Sequence, residues 1–271
     1  MAALAQHGRY ESRPVQAGRA ILRTYAAVLF SRSWVVGLLL LLATVPAPRA
    51  LVGGLLAVVA ALGAAWLLDL DHEAIADGSY GASALLLGLG TGQTLGLGLP
   101  TLTVLLVLAP LCVVVTAALR SWLGSSNLPL LSIPFLLMFY LLLGLAPVVG
   151  LAHVPPVPDS MTMLPDGVAN LLRSIGAIFF LPRCDAGALL LFALLLHSRI
   201  AVLLAALAWA TVFGLKLALP ALATSEHLGI LTLNALFTAV AIGGVWFVPS
   251  PSSLALAVLS VLLSKIGRAH V

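Results

Sequence analysis

The sequence predicts an all-α polytopic membrane protein built from two similar halves, and three observations predict it. Hydrophobic residues fill 62% of the 271 positions and charged residues only 8%, against roughly 25% charged in a soluble domain. Apolar runs of helical length recur along the chain, broken by Pro, Gly and charge, and such runs need the bilayer as their solvent. One phrase is also stated twice: Ile21-Leu22-Arg23-Thr24-Tyr25-Ala26-Ala27-Val28-Leu29-Phe30 returns 150 residues later as Leu171-Leu172-Arg173-Ser174-Ile175-Gly176-Ala177-Ile178-Phe179-Phe180. Each copy is followed, seven residues past its last Phe, by a glycine, Gly37 and Gly187. In a membrane protein such a duplication points to two related bundles with a solute path between them.

The elements follow in order. Residues 1–16 form an Arg-rich arm, and residues 17–30 open the first repeat (17–150) as an amphipathic helix too short to span and suited to a re-entrant position. Spans are expected at 34–46, 50–68, 80–97, 100–119 and 129–149. Residues 151–167 hold four prolines and no Lys or Arg, which reads as a linker. The second repeat (168–264) begins with another short helix at 168–181, then spans at 186–198, 200–219, 228–247 and 252–265. An odd number of spans per half turns the second copy upside down, the inverted-repeat arrangement.

Arg9, Arg13, Arg19, Arg23 and Arg32 precede the first span with one acid, Glu11, which favours a cytoplasmic N-terminus. No small-residue cleavage pattern follows the first apolar run, so it does not read as a removable signal peptide. The linker then falls outside and Arg120 and Arg199 inside, with Arg49 an exception to the rule. The last seven residues, Lys265 to Val271, are what AAG-ATC-GGA-AGA-GCA-CAC-GTN would encode, a string that resembles a common sequencing-adapter sequence. They read as an adapter-derived tail on a shortened chain, although a genuine basic tail fits the same residues.

Composition also excludes function classes. The net charge of +4 is scattered at span ends rather than clustered, so nucleic acid is not an expected partner. Cys112 reads as packing and Cys184 as a loop thiol, with neither metal spacing nor a disulfide expected. His7, His72, His153, His197 and His227 are isolated, with no H-E-x-x-H arrangement. The densest polar cluster, Asp69-Leu70-Asp71-His72-Glu73, reads as a solvated loop, a metal site being the alternative. His197, beside Ser198-Arg199, reads as an interfacial side chain. Lys216 lies inside an apolar run, where it either snorkels to an interface or faces an aqueous cavity. No cofactor motif is present.

Two further elements sharpen the picture. Gly78-Ser79-Tyr80-Gly81-Ala82-Ser83-Ala84-Leu85-Leu86-Leu87-Gly88-Leu89-Gly90-Thr91-Gly92 has an echo, 151 residues on, in Gly229-Ile230-Leu231-Thr232-Leu233-Asn234-Ala235-Leu236-Phe237-Thr238-Ala239-Val240-Ala241-Ile242-Gly243. Helices rich in small residues pack closely in lipid. Leu128-Pro129-Leu130-Leu131-Ser132-Ile133-Pro134-Phe135 brackets a hydroxyl between two prolines, a sequence expected to leave carbonyls without helical partners.

In this order and repetition the three elements resemble the urea transporter family, over about residues 19–264. The resemblance implies two inverted repeats of five transmembrane helices plus a short re-entrant helix each, assembled as a homotrimer with a pore in every subunit. It also implies that the last helix is missing, because the second Leu-Pro element would begin near residue 279, eight past Val271. The pore implied is a narrow slot lined by aromatic rings, with an oxygen ladder and a central hydroxyl. On that resemblance Phe30 and Phe180 are slot aromatics, Leu86 and Phe237 face them, and Ser132 supplies the central hydroxyl. Ala27 and Ala177 stand where other members carry Gln or Glu, and Ala82 and Leu233 where others carry Phe. A channel for urea through the cytoplasmic (inner) membrane, without cofactor, is the leading expectation. A channel for another small neutral solute, a short amide or ammonia, and an intramembrane enzyme using the Asp69–Asp77 loop are the alternatives.

Overall fold

The computed structural model describes residues 13–125, 130, 132–155, 157–159, 161 and 163–218, with 235, 236, 239 and 259 singly; for 13, 14 and 215–218 it describes the backbone alone. Among these residues there are ten α-helices and no strand: α1 (Arg13–Ala27), α2 (Trp34–Thr44), α3 (Pro48–Leu67), α4 (His72–Ala76), α5 (Ala82–Thr94), α6 (Leu99–Gly124), α7 (Ile133–Val149), α8 (Asp166–Gly176), α9 (Cys184–His197) and α10 (Arg199–Ala218). A short 3₁₀ turn, Ala177–Phe179, extends α8. Helices stand where the sequence predicts them through α10. The spans expected at 228–247 and 252–265, with Leu233, Phe237 and the side chain of Lys216, lie outside the described residues.

Crossing the ~30 Å hydrocarbon core takes about 20 helical residues. By length and composition α3 and α6 suffice, and α8 with its 3₁₀ turn and α9, bent by 78° at the break, form a broken span or a re-entrant loop. At 11 residues α2 is too short by itself. Shorter apolar helices, α2, α7 and the described part of α10, accompany them.

Pro positions fix several starts. Pro48, Pro100 and Pro134 occupy the first turns of α3, α6 and α7, where no intrahelical N–H bond is lost. From Pro134 the helix runs on, Leu136 N–H donating to Ser132 C=O at 3.0 Å, while Pro129 and its neighbours 126–128 and 131 lie outside the described residues. Gly150, at φ 73°, closes α7 while Leu151 N–H reaches back to Ala146 C=O.

Two cores result. One gathers α1, α2, α9 and α10; the other gathers α3, α5, α6 and α7. Backbone contact joins α3 to α5: a Cβ on Gly53 would lie 2.5 Å from Gly88 O, and one on Gly88 2.2 Å from Gly53 O. Without water to drive them together, membrane helices rely on this close approach through small residues. The outward faces carry Trp66, Val107, Trp122, Tyr140 and Leu203, all well exposed. A surface this apolar belongs in lipid, and the protein is membrane-embedded.

The segment between α7 and α8 is tied down at both ends. Val154 N–H donates to Thr94 C=O at the end of α5, and Arg49 Nη2 to Pro155 C=O, each at 3.0 Å. Farther on, Arg183 Nη1 donates to Pro158 C=O at 2.6 Å, while Asp159 accepts from Arg173 Nε at 2.9 Å and from Cys184 N–H at 3.2 Å. Cys184 is accordingly no loop thiol. It is fully buried in the first turn of α9, because the broken backbone before it is packed inside the protein.

Candidate functional site

Both copies of the duplicated phrase end in the same turn. In the first, Phe30 N–H donates to Ala27 C=O at 3.0 Å and Ser31 N–H to Ala26 C=O at 3.1 Å; in the second, Phe180 donates to Ala177 at 3.0 Å and Leu181 to Gly176 at 3.1 Å. This pair of bonds is the Schellman motif, which requires a left-handed residue just past the helix and ordinarily takes glycine. Here that residue is phenylalanine in both copies, with φ of 58° at Phe30 and 59° at Phe180. For a bulky side chain such backbone is an outlier held by its surroundings.

The two trailing glycines explain the hold. A Cβ on Gly37 would sit 1.8 Å from Leu22 O, and one on Gly187 1.9 Å from Leu172 O. Only glycine lets α2 fold back against α1, and α9 against α8, closely enough to form each hairpin. The hairpins meet through α2 and α9, and Tyr25 stacks on Phe179 with ring centres 6.2 Å apart.

Phe180 then points its ring at α5 and α7. Its centre lies 5.6 Å from that of Phe135 and 5.5 Å from that of Phe139. The space for it comes from Gly90, where a Cβ would stand 2.8 Å from Phe139 Cε2 and 3.2 Å from Phe180 Cζ. Ala82, Leu86, Gly90 and Gln93 fall on one face of α5 by helical spacing. Leu86 and Phe180 both pack against the two cores together, so they stand at the seam between them.

Gln93 closes this stripe at the last turn of α5. It is only 6% exposed, its Nε2 donates to Phe180 C=O at 3.2 Å, and its Oε1 has no partner among the described residues. Ala27 and Ala177 are half-buried at matching positions in their turns. Phe30 is 51% exposed, and the residues that the repeat pairs with it, Leu233 and Phe237, are outside the described residues. Ser132 is exposed at the start of α7, one turn before Phe135, and its hydroxyl caps nothing.

Of the residues expected from the sequence, Leu86 and Phe180 thus share one seam, with Ala82 on the same face of α5. Phe139 and Gln93 were not anticipated, and Phe135 was noticed only as the end of a motif. The signal for Gln93 lay one residue beyond the aligned glycine run: a carboxamide inside a helix otherwise made of apolar, small and hydroxyl residues. Elsewhere, Asp71 caps α4 by accepting from Glu73 N–H at 3.1 Å, and His72 meets Asp69 at 3.6 Å on the exposed surface. Among the described residues no group of three or more His, Cys, Asp and Glu is placed to hold a metal.

Apolar helices, an exposed apolar surface and a bent helix pair after the duplicated phrase define a membrane-embedded helical protein. The family model described as urea transporter matches residues 18–269. The chain belongs to the urea transporter family, a family of transporters and not of enzymes. No individually curated protein matches it.

Proposed function

We propose that the protein is a passive, channel-type path for urea across the cytoplasmic membrane, with Ala27, Phe30, Ala82, Leu86, Ser132, Ala177, Phe180, Leu233 and Phe237 along the path. The observation that carries this reading is the seam at which Phe180, raised on its left-handed turn, lies with Leu86 between the two cores, in a chain of this family. The fuller architecture proposed is two inverted repeats per subunit, a homotrimer with one pore in each subunit, and a cytoplasmic N-terminus.

The chemistry suits a flat neutral amide. Urea can slide between apolar faces while its N–H groups donate sideways to carbonyl oxygens. An ion entering the same walls loses its hydration without equal replacement, which costs many times more than a single hydrogen bond. None of the nine residues named along the path carries a charge, which suits flux uncoupled to a proton or sodium gradient.

A second reading has its own support. Ala27 and Ala177 leave both turns without a polar side chain where the amide would pass, which favours a smaller or less polar solute such as ammonia or a short amide. Stopped-flow light scattering on proteoliposomes decides between them. Urea gradients should re-equilibrate at least tenfold faster than in empty liposomes, with ammonia and acetamide slower; equal rates with and without protein would reject the channel.

A further inference from the structure

We propose that Gln93 contacts the solute directly, its Oε1 accepting an N–H of the amide as it passes Phe180. The proposal rests on the channel reading above and adds to it a polar station on the wall opposite the duplicated turn.

The geometry is specific about which end of the carboxamide is free. Phe180 C=O can only accept, so the group 3.2 Å from it must be the NH₂ of Gln93. That bond turns Oε1 away from the turn and leaves it buried with no donor among the described residues. Proteins leave few buried acceptors unmet, and those that remain call for a cause. Gln93 continues the face Ala82–Leu86–Gly90, the face on which Phe180 and Phe139 lie at Gly90. A planar solute lying flat on these rings would present its N–H edge along the helix, where Oε1 waits.

The choice of residue fits the cargo. A carboxamide is neutral, so it offers an acceptor without attracting cations, and its own N–H₂ stays engaged with the backbone. It restores, from α5, a hydrogen-bond partner that Ala27 and Ala177 do not provide. The ligand class is a small, uncharged molecule bearing amide N–H.

The test uses the full chain in liposomes. Gln93→Met keeps the length and removes both the acceptor and the bond to Phe180 C=O; urea permeability should fall about 3- to 10-fold, the loss of one net hydrogen bond, with water permeability unchanged and only a small drop in melting temperature. Unchanged urea flux in Gln93→Met, with flux in the wild type, overturns this inference alone. Parallel loss of urea flux, water flux and melting temperature also overturns it, since Gln93 would then serve only to hold Phe180. Absence of flux in the wild type overturns the channel reading and this inference with it. If Gln93→Met does not fold, urea is titrated into the glutamine-¹⁵N-labelled wild type in micelles. The chain has three glutamines, Gln6, Gln16 and Gln93, so substituting the first two assigns the third. A shift of the Gln93 Nε2 pair supports the contact, and none at saturating urea rejects it.

Discussion

An aromatic residue in the left-handed region strains the backbone, and this chain accepts that strain twice, at Phe30 and Phe180. Left-handed backbone costs a β-carbon-bearing residue about 1–2 kcal/mol relative to glycine. Hence Phe180→Gly should be more stable than Phe180→Ala by about 1 kcal/mol, an order opposite to that in a helix interior. Thermal unfolding in detergent measures the difference, and the same order is expected at Phe30. Gly37 and Gly187 respond the other way. Because a Cβ at either would overlap a backbone oxygen of the preceding helix, Gly187→Ala should cost about 4 kcal/mol or more, the range of severe core lesions. Loss of the monodisperse peak in size-exclusion chromatography checks it. The duplication made these four positions visible from sequence. What it could not reveal was the turn itself, since the cue for a Schellman ending is a glycine and both copies carry Phe.

At the level of elements, hydropathy located every described helix longer than five residues, while length and composition alone pass α3 and α6 as full crossings. The break after Phe180 was legible as the gap between the short helix and the next span; the 78° bend between α8 and α9 was not, since a window average carries no direction. Cys184 was misplaced because the span was expected to begin at 186, two residues past the true start of α9. The segment between α7 and α8 read as a loose linker from its prolines, yet its charges decide its path. Burial opposes ionisation of Asp159, but hydrogen bonds from Cys184, Arg173 and the Met161 N–H outweigh it and hold the carboxyl down at about 2. A carboxyl lowered on folding stabilises the protein fully above its unfolded value, near 4, and loses that contribution as pH falls through about 2. The melting temperature should therefore drop between pH 4 and pH 2, and Asp159→Asn should lower it at pH 6 while removing this part of the acid response. A wild-type curve parallel to that of the variant over this range would contradict the assignment.

For the molecule as a whole, composition alone reached the bilayer and repetition reached two related hairpins; the seam between the cores needed coordinates. Phe139 and Gln93 could not be read beforehand because their meeting with Phe180 depends on the missing side chain at Gly90, a contact between elements far apart in sequence. If transport is passive, a pH gradient or membrane potential imposed on proteoliposomes should leave the final urea distribution equal inside and out. Accumulation against the gradient would point instead to coupling.

The turn that carries Phe180 is stitched by two backbone hydrogen bonds, backed by the contact at Gly187 and tied to α5 through Gln93. A ring mounted this way has no hinge beneath it. If that ring bounds the proposed path, its aperture keeps its width from one solute to the next, and no protein cycle sets a ceiling on turnover. Flux should then climb in proportion to concentration far beyond the range where a carrier levels off, and change with temperature only about as steeply as diffusion in water does.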